Sequence, residues 1–159
     1  MTQGASSAYG AMTVRRTDKE LHELIDICSA PESHEDRVTV LRKYGNAFPE
    51  LKNFFIVAYF CKDAFKSITD MGEFGYIASK VAPGASEENL ASMWREVTRM
   101  YDTFPTGPKV KRGRAQRILG TLYAKDAEYL YKLIFGNFYS KELNELVVKE
   151  AFPELVPKT

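Results

Sequence analysis

Apolar residues recur at the spacing of a single helix face along most of this 159-residue chain. Leu21, Leu24, Ile25 and Cys28 follow the pattern i, i+3, i+4, i+7, which is typical of an amphipathic helix. A wider apolar face runs from Leu51 to Cys61. Strand-like alternation is almost absent, and no two-residue hairpin turn separates any pair of apolar runs. The sequence therefore predicts an all-α fold.

Capping and breaking residues divide the chain into about six or seven helices, joined into a single compact bundle over residues 17–159. Ser and Thr favour N-cap positions, and Pro favours the first helical position. The helix over residues 51–61 is predicted to be the central one. Residues 66–85 are predicted to be a loop with at most one short helix, and residues 1–16 a flexible arm. The predicted helix starts are Thr17 (in a capping box with Glu20), Ser33, Pro49, Ser86 and Ser140, and Gly45 is predicted to end the second helix.

Composition supports one domain without a membrane span. Nine Tyr, ten Phe and one Trp supply much of a core, and a chain of this size buries about 68–70% of its unfolded surface. The longest apolar run, residues 54–61, is far too short to cross a bilayer, and no signal peptide is evident. Cys28 and Cys61 lack metal or redox spacing, so we predict core thiols in a reducing compartment. Together, these features indicate a cytoplasmic location, in a cell or in an infected host.

The usual catalytic and metal-binding motifs are missing from the sequence. The two histidines, His22 and His34, are predicted to lie on the surface rather than to serve as ligands or bases. There is no HExxH motif, no Cys/His cluster, no calcium loop and no glycine-rich phosphate cradle. We therefore predict a non-enzymatic protein with no metal and no cofactor, although catalytic residues can be scattered along a sequence.

Positive charge is concentrated between residues 109 and 117. This stretch carries Lys109, Lys111, Arg112, Arg114 and Arg117, while the net charge of the whole chain is only +1. Cations beside the free N–H groups of a helix start can hold a phosphate. These five residues are the predicted nucleic-acid-binding site. A solvated helix start remains the alternative interpretation.

The C-terminal third carries a resemblance to a known family. The stretch "RILGTLYAKDAEYLYKLIFGNFYSKELNELVVKEAFPELVP" resembles the N-terminal helical DNA-binding region of phage-type ATP-dependent DNA ligases. The earlier segment "ELIDICSAPESHEDRVTVLRKYGNAFPELKNFFIVAY" is also similar to that region. Small uncharacterised proteins of T-even-like phages and cyanophages share the "LVVKEAFPELVP"-type ending.

The resemblance implies a DNA-binding fold without the ligase reaction. The nucleotidyl lysine of the ligases lies in a K-x-D-G motif, and this chain contains none. The resemblance places DNA-backbone contacts on the five cations of residues 109–117. It also implies that the family-like ending closes the fold structurally, through Phe152, Pro153, Leu155 and Pro157.

Three functional hypotheses follow from these observations. The first is a phage-encoded accessory module that grips the DNA backbone without sequence preference, in the host cytoplasm during infection. The alternative is a virion structural or assembly protein, a head or tail component that docks on other phage proteins through residues 1–16. The third is an inhibitor or adaptor that binds a host protein. None of the three involves a membrane.

Overall fold

The computed structural model describes residues 9–17 and 19–156, and eight helices are defined in full within them. No strand occurs in these ranges, so the predicted all-α class is confirmed. The count exceeds the predicted six or seven because the short helix in the 66–85 region forms. The helices are α1 (Leu21–Ser29), α2 (His34–Ala47), α3 (Pro49–Phe60), α4 (Lys66–Thr69), α5 (Leu90–Thr98), α6 (Pro108–Leu119), α7 (Ala124–Ile134) and α8 (Glu145–Ala151).

Two of the predicted helix starts are confirmed and three are wrong. The Ser33 side chain caps α2, and Pro49 is the first residue of α3. Helix α1 instead begins after Glu20, which forms its capping box with Glu23. Helices α5 and α8 are capped by Asn89 and Asn144, each three or four residues beyond the predicted serine.

Ser86 bonds to a distant backbone group, whereas Ser140 makes the local bond expected of a cap but no helix follows it directly. Ser86 Oγ accepts a hydrogen bond from the Tyr123 N–H at 2.6 Å, and Ser140 Oγ accepts one from the Leu143 N–H at 3.0 Å. The Ser86 bond therefore fixes the residue before α7, and the Ser140 bond fixes the turn before α8. A sequence pattern does not separate these roles, because a hydroxyl accepts equally well from a turn N–H and from a helix N–H.

Helix α3 lies at the centre of the fold, as predicted. It contacts α2, α5, α7 and α8, and seven of its twelve residues are buried. The rings of Phe54 and Phe55 pack edge-on against Phe138. The Tyr59 hydroxyl donates to the Leu143 carbonyl and accepts from the Ser140 N–H, which fixes the turn before α8. Cys28 is fully buried in this core and Cys61 half-buried, and both are free thiols.

Phe152, which directly follows α8, closes the bundle. Its ring is fully buried and lies on Gly45, where a Cβ atom would come within 2.3 Å of the ring. Gly45 therefore does not end α2, which continues to Ala47, but leaves room for the aromatic ring. Leu155 remains 37% exposed, and Pro157 lies outside the described residues.

Part of the predicted arm lies against the helices. Tyr9, Met12 and Val14 pack on the core, and Arg16 forms a two-pronged ion pair with Glu50 at 2.9 and 3.1 Å. Residues 1–8 lie outside the described ranges. Within those ranges, no helix is both long enough and apolar enough to cross a bilayer.

Candidate nucleic-acid interface

The predicted basic stretch forms the first three turns of α6. Gly107 is the N-cap, Pro108 is the first helical residue, and no side chain caps this end. Within the described residues, the N–H groups of Lys109 and Val110 donate to no acceptor. Lys109 is exposed beside them. The start of α6 thus presents a positive helix end next to a free ammonium group.

Lys111 is buried, and Arg112 is only partly exposed. Lys111 is only 2% exposed and shares the inward face of α6 with Ala115, Ile118 and Leu119. Arg112 lies over the ring of Phe74, with its guanidinium carbon 5.6 Å from the ring centroid. Lys111 therefore stands apart from any surface that these cations form.

Arg112 instead helps to hold an extended segment against α6. It donates to the Glu73 carbonyl at 3.3 Å, and one turn later Gln116 donates to the Gly75 carbonyl at 2.9 Å. A further turn along, the Ile77 carbonyl lies 3.2 Å from the position that a Cβ atom at Gly120 would occupy. The carbonyls of alternate residues in the 73–77 segment thus face α6 at four-residue intervals.

Arg114 and Arg117 meet Glu96 of α5 and Arg99, the residue that directly follows α5, in a cluster around the Glu96 carboxylate. The Glu96 carboxylate oxygens lie 2.9 Å from a guanidinium nitrogen of Arg114, 3.0 Å from one of Arg117 and 3.1 Å from one of Arg99. We call these four residues the arginine cluster. Its three cations outnumber its single acid, so it carries a net charge of +2. Glu96 is only 14% exposed, whereas Arg99 is 42% exposed and Arg117 65% exposed.

The charge balance of the cluster sets the ionisation of Glu96. Burial raises the pKa of this carboxyl, but the hydrogen bond from Arg114 and the charges of all three arginines outweigh it and lower the pKa below its ordinary 4.5. Glu96 is therefore ionised at neutral pH. Arg114 also keeps a buried Nε that donates to no atom of the described residues.

Sequence reasoning missed Glu96 and Arg99. Their i, i+3 spacing was a local signal for an ion pair. Their contact with residues 114 and 117 depends on the packing of α5 against α6, which no pattern in the sequence specifies. Of the five predicted cations, the structure brings Arg114 and Arg117 together and leaves Lys109 exposed at the start of the helix. It buries Lys111 and packs the partly exposed Arg112 on the 73–77 segment.

A second polar cluster joins α1, α7 and the loop before α5. The prediction that His22 is a surface residue is wrong, because its side chain is only 12% exposed. Asp126 is 2% exposed and accepts from both the His22 backbone N–H at 2.7 Å and His22 Nδ1 at 2.9 Å. A carboxylate from α7 thereby caps the first turn of α1. His34 lies on the surface as predicted, 40% exposed, and pairs with Glu150.

Glu20, His22 and Glu23 offer donor atoms within 4.8 Å of one another, a spacing that a metal ion can bridge. These donors already have protein partners. The Glu20 carboxylate accepts from the N–H groups of Gly84 and Ser86, and Glu23 accepts from the Glu20 N–H. The cluster is best explained as a structural tie between three segments of the chain.

Replacing Asp126 by asparagine should change how stability depends on pH. Burial raises the pKa of the Asp126 carboxyl above its ordinary 3.8, the nearby Glu20 adds to this effect, and the His22 contacts offset only part of it. Native Asp126 thus retains its proton at pH values where the unfolded chain has lost it. As pH rises through this window above 3.8, wild type should lose stability relative to Asp126→Asn.

Urea unfolding of both proteins at a series of pH values measures this difference. A constant difference in the free energy of unfolding across the window would show that Asp126 titrates normally.

No family model, curated protein or solved structure matches the chain. The resemblance to the ligase DNA-binding region therefore stays a prediction.

Proposed function

We propose that this protein is a phage-encoded, non-catalytic module that binds the DNA backbone through the arginine cluster and Lys109. The observation that carries the proposal is the imbalance of the cluster, in which three guanidinium groups share one carboxylate. Its two most exposed members, Arg99 and Arg117, each have donors that Glu96 does not occupy, because a guanidinium carries five N–H donors. Phosphate oxygens accept from such groups.

The spacing of the cations suits a nucleic-acid strand. Lys109 and Arg117 are eight residues apart in α6, which corresponds to about 12 Å along the helix axis. Successive nucleotides of one strand rise about 3.4 Å along the duplex, so the two side chains span about three to four nucleotides. The uncapped start of α6 adds N–H donors at the Lys109 end.

The interface is expected to be non-specific. Phosphate contacts position a protein on DNA but carry no sequence information. With three phosphate contacts, from Lys109, Arg99 and Arg117, the log–log dependence of affinity on salt should have a slope of about −3 on duplex DNA.

The double variant Arg99→Ala/Arg117→Ala should weaken duplex binding and reduce the magnitude of the salt slope by about two. The fold should persist because Arg114 still neutralises Glu96. Fluorescence anisotropy titrations of a mixed-sequence duplex at several salt concentrations measure both quantities. The matched control is Lys66→Ala/Lys132→Ala, which removes two exposed lysines that pair with acids elsewhere.

The control should bind with nearly the wild-type affinity and slope. Wild-type affinity in the Arg99/Arg117 variant, or equal losses in the two double variants, would contradict the proposal.

A further inference from the structure

An open cleft of about 560 Å³ lies beside the arginine cluster. The extended 75–79 segment forms one wall, and the last turn of α6 with the two residues after it forms the other, which Gln116, Arg117 and Thr121 line. Its volume is within the range of small-molecule sites. Arg117 is common to the cleft and the cluster, so a strand held by the cluster passes the mouth of the cleft.

The wall formed by the 75–79 segment combines an apolar surface with free backbone groups. Ile77 is 90% exposed, the most exposed of the large apolar side chains in the described residues. Tyr76 lies next to it, with its ring against Tyr131. Across the described residues, the N–H groups of Tyr76, Ile77 and Ala78 donate to no protein acceptor. The cleft therefore offers exposed apolar contact, and the segment that forms this wall carries backbone donors without a protein acceptor.

This combination suits a nucleobase. A base has an apolar face and an edge of donors and acceptors, and proteins that bind single strands pair such surfaces with a cationic track for the backbone. In a duplex, that face is stacked and that edge is paired. An occupant of the cleft must therefore be an unpaired nucleotide.

We propose that the cleft receives an unpaired base of a DNA single strand whose phosphate lies on Arg117. This inference rests on the proposed function and names its preferred substrate, single-stranded DNA or a duplex with a single-stranded end. The base packs on Ile77 and Tyr76 while its edge meets the free backbone groups of the 75–79 segment.

The test compares an oligodeoxythymidylate with a hairpin duplex of mixed sequence by fluorescence anisotropy. The wild-type protein should bind the single strand more tightly. Ile77→Ser should lower single-strand affinity by about fivefold, as expected when an apolar side chain that buries part of its surface on binding is removed, and leave duplex affinity unchanged. Because Ile77 is exposed, this variant should fold normally. Leu146→Ser removes another exposed apolar side chain, 56% exposed on α8 and outside both the cleft and the arginine cluster, and should alter neither affinity.

Failure of this inference can be separated from failure of the proposed function. If Arg99→Ala/Arg117→Ala weakens binding to both probes but Ile77→Ser weakens neither, the backbone interface stands and the base site is overturned. If the arginine variant weakens neither, the proposed function itself fails. Self-association of the wild type that Ile77→Ser abolishes, with single-strand affinity unchanged, would assign the cleft to a second copy of the chain and overturn the base site.

Discussion

Replacing Phe152 by alanine should lower the free energy of unfolding by about 3–5 kcal/mol, the usual cost of removing a fully buried aromatic side chain. The ring has no exposed surface and lies against Gly45 of α2. Its loss should leave a cavity where α8 meets α2, the helix pair with the most extensive contact in the fold. Urea unfolding followed by circular dichroism measures the change. Leu155→Ala, three residues along and 37% exposed, is the matched control and should cost far less.

A second substitution tests whether Phe152 and Gly45 act as a pair. In the wild type, Gly45→Ala places a methyl group 2.3 Å from the ring and should destabilise the protein by about 1–3 kcal/mol, as overpacking does. In the Phe152→Ala background the same methyl group has room, and alanine favours a helix by up to about 1 kcal/mol over glycine. Gly45→Ala should therefore be stabilising there. Additive effects of the two substitutions would contradict the packing described.

Replacing Glu96 by glutamine should change stability and DNA affinity in opposite directions. The variant keeps the shape of the side chain but removes the charge that three guanidinium groups share. Hydrogen bonds to charged groups contribute about 1.5–3 kcal/mol, so the free energy of unfolding should fall by about that amount at neutral pH. The net charge of the cluster rises from +2 to +3, so duplex affinity at low salt should increase.

Acid unfolding gives the Glu96 prediction a second readout. The pKa of Glu96 is lower in the folded protein than in the unfolded chain. Its contribution to the free energy of unfolding is therefore fully present above pH 4.5 and is lost as the pH falls through the folded pKa. The free energy of unfolding of Glu96→Gln should therefore fall less steeply than that of the wild type as the pH decreases over this range. A variant that loses stability without gaining affinity for DNA would indicate a cluster that only joins α5 to α6.

Local patterns in the sequence were sufficient to predict the helical fold and its central helix. The spacing of apolar residues identified the buried faces, including Leu21, Leu24, Ile25 and Cys28 in α1. Helix starts were less predictable, because Ser86 bonds to the distant Tyr123 N–H and the bond from Leu143 to Ser140 closes a turn that does not continue as a helix. The role of Gly45 depended on where Phe152 would lie, more than a hundred residues later in the chain.

The candidate interface was predictable only in part. Five neighbouring cations suggested one surface, yet the turn of a helix points neighbouring residues in different directions. Lys111 falls on the inward face of α6, and Arg112 reaches the 73–77 segment. Glu96 of α5 and Arg99, which follows that helix, meet these cations only through the packing of α5 against α6, which no sequence pattern specifies. The half-buried position of His22 was likewise unpredictable, because the carboxylate that it contacts lies 104 residues away in the sequence.

The contact between the 73–77 segment and α6 rests on a match between two lengths. Two residues of extended chain advance about 6.6 Å, and four residues of an α-helix advance about 6 Å, so carbonyls 73, 75 and 77 stay level with positions 112, 116 and 120. Adding or removing one residue in this segment would put that alternation out of phase with the helix. The wall of the cleft therefore tolerates changes of side chain far better than changes of length.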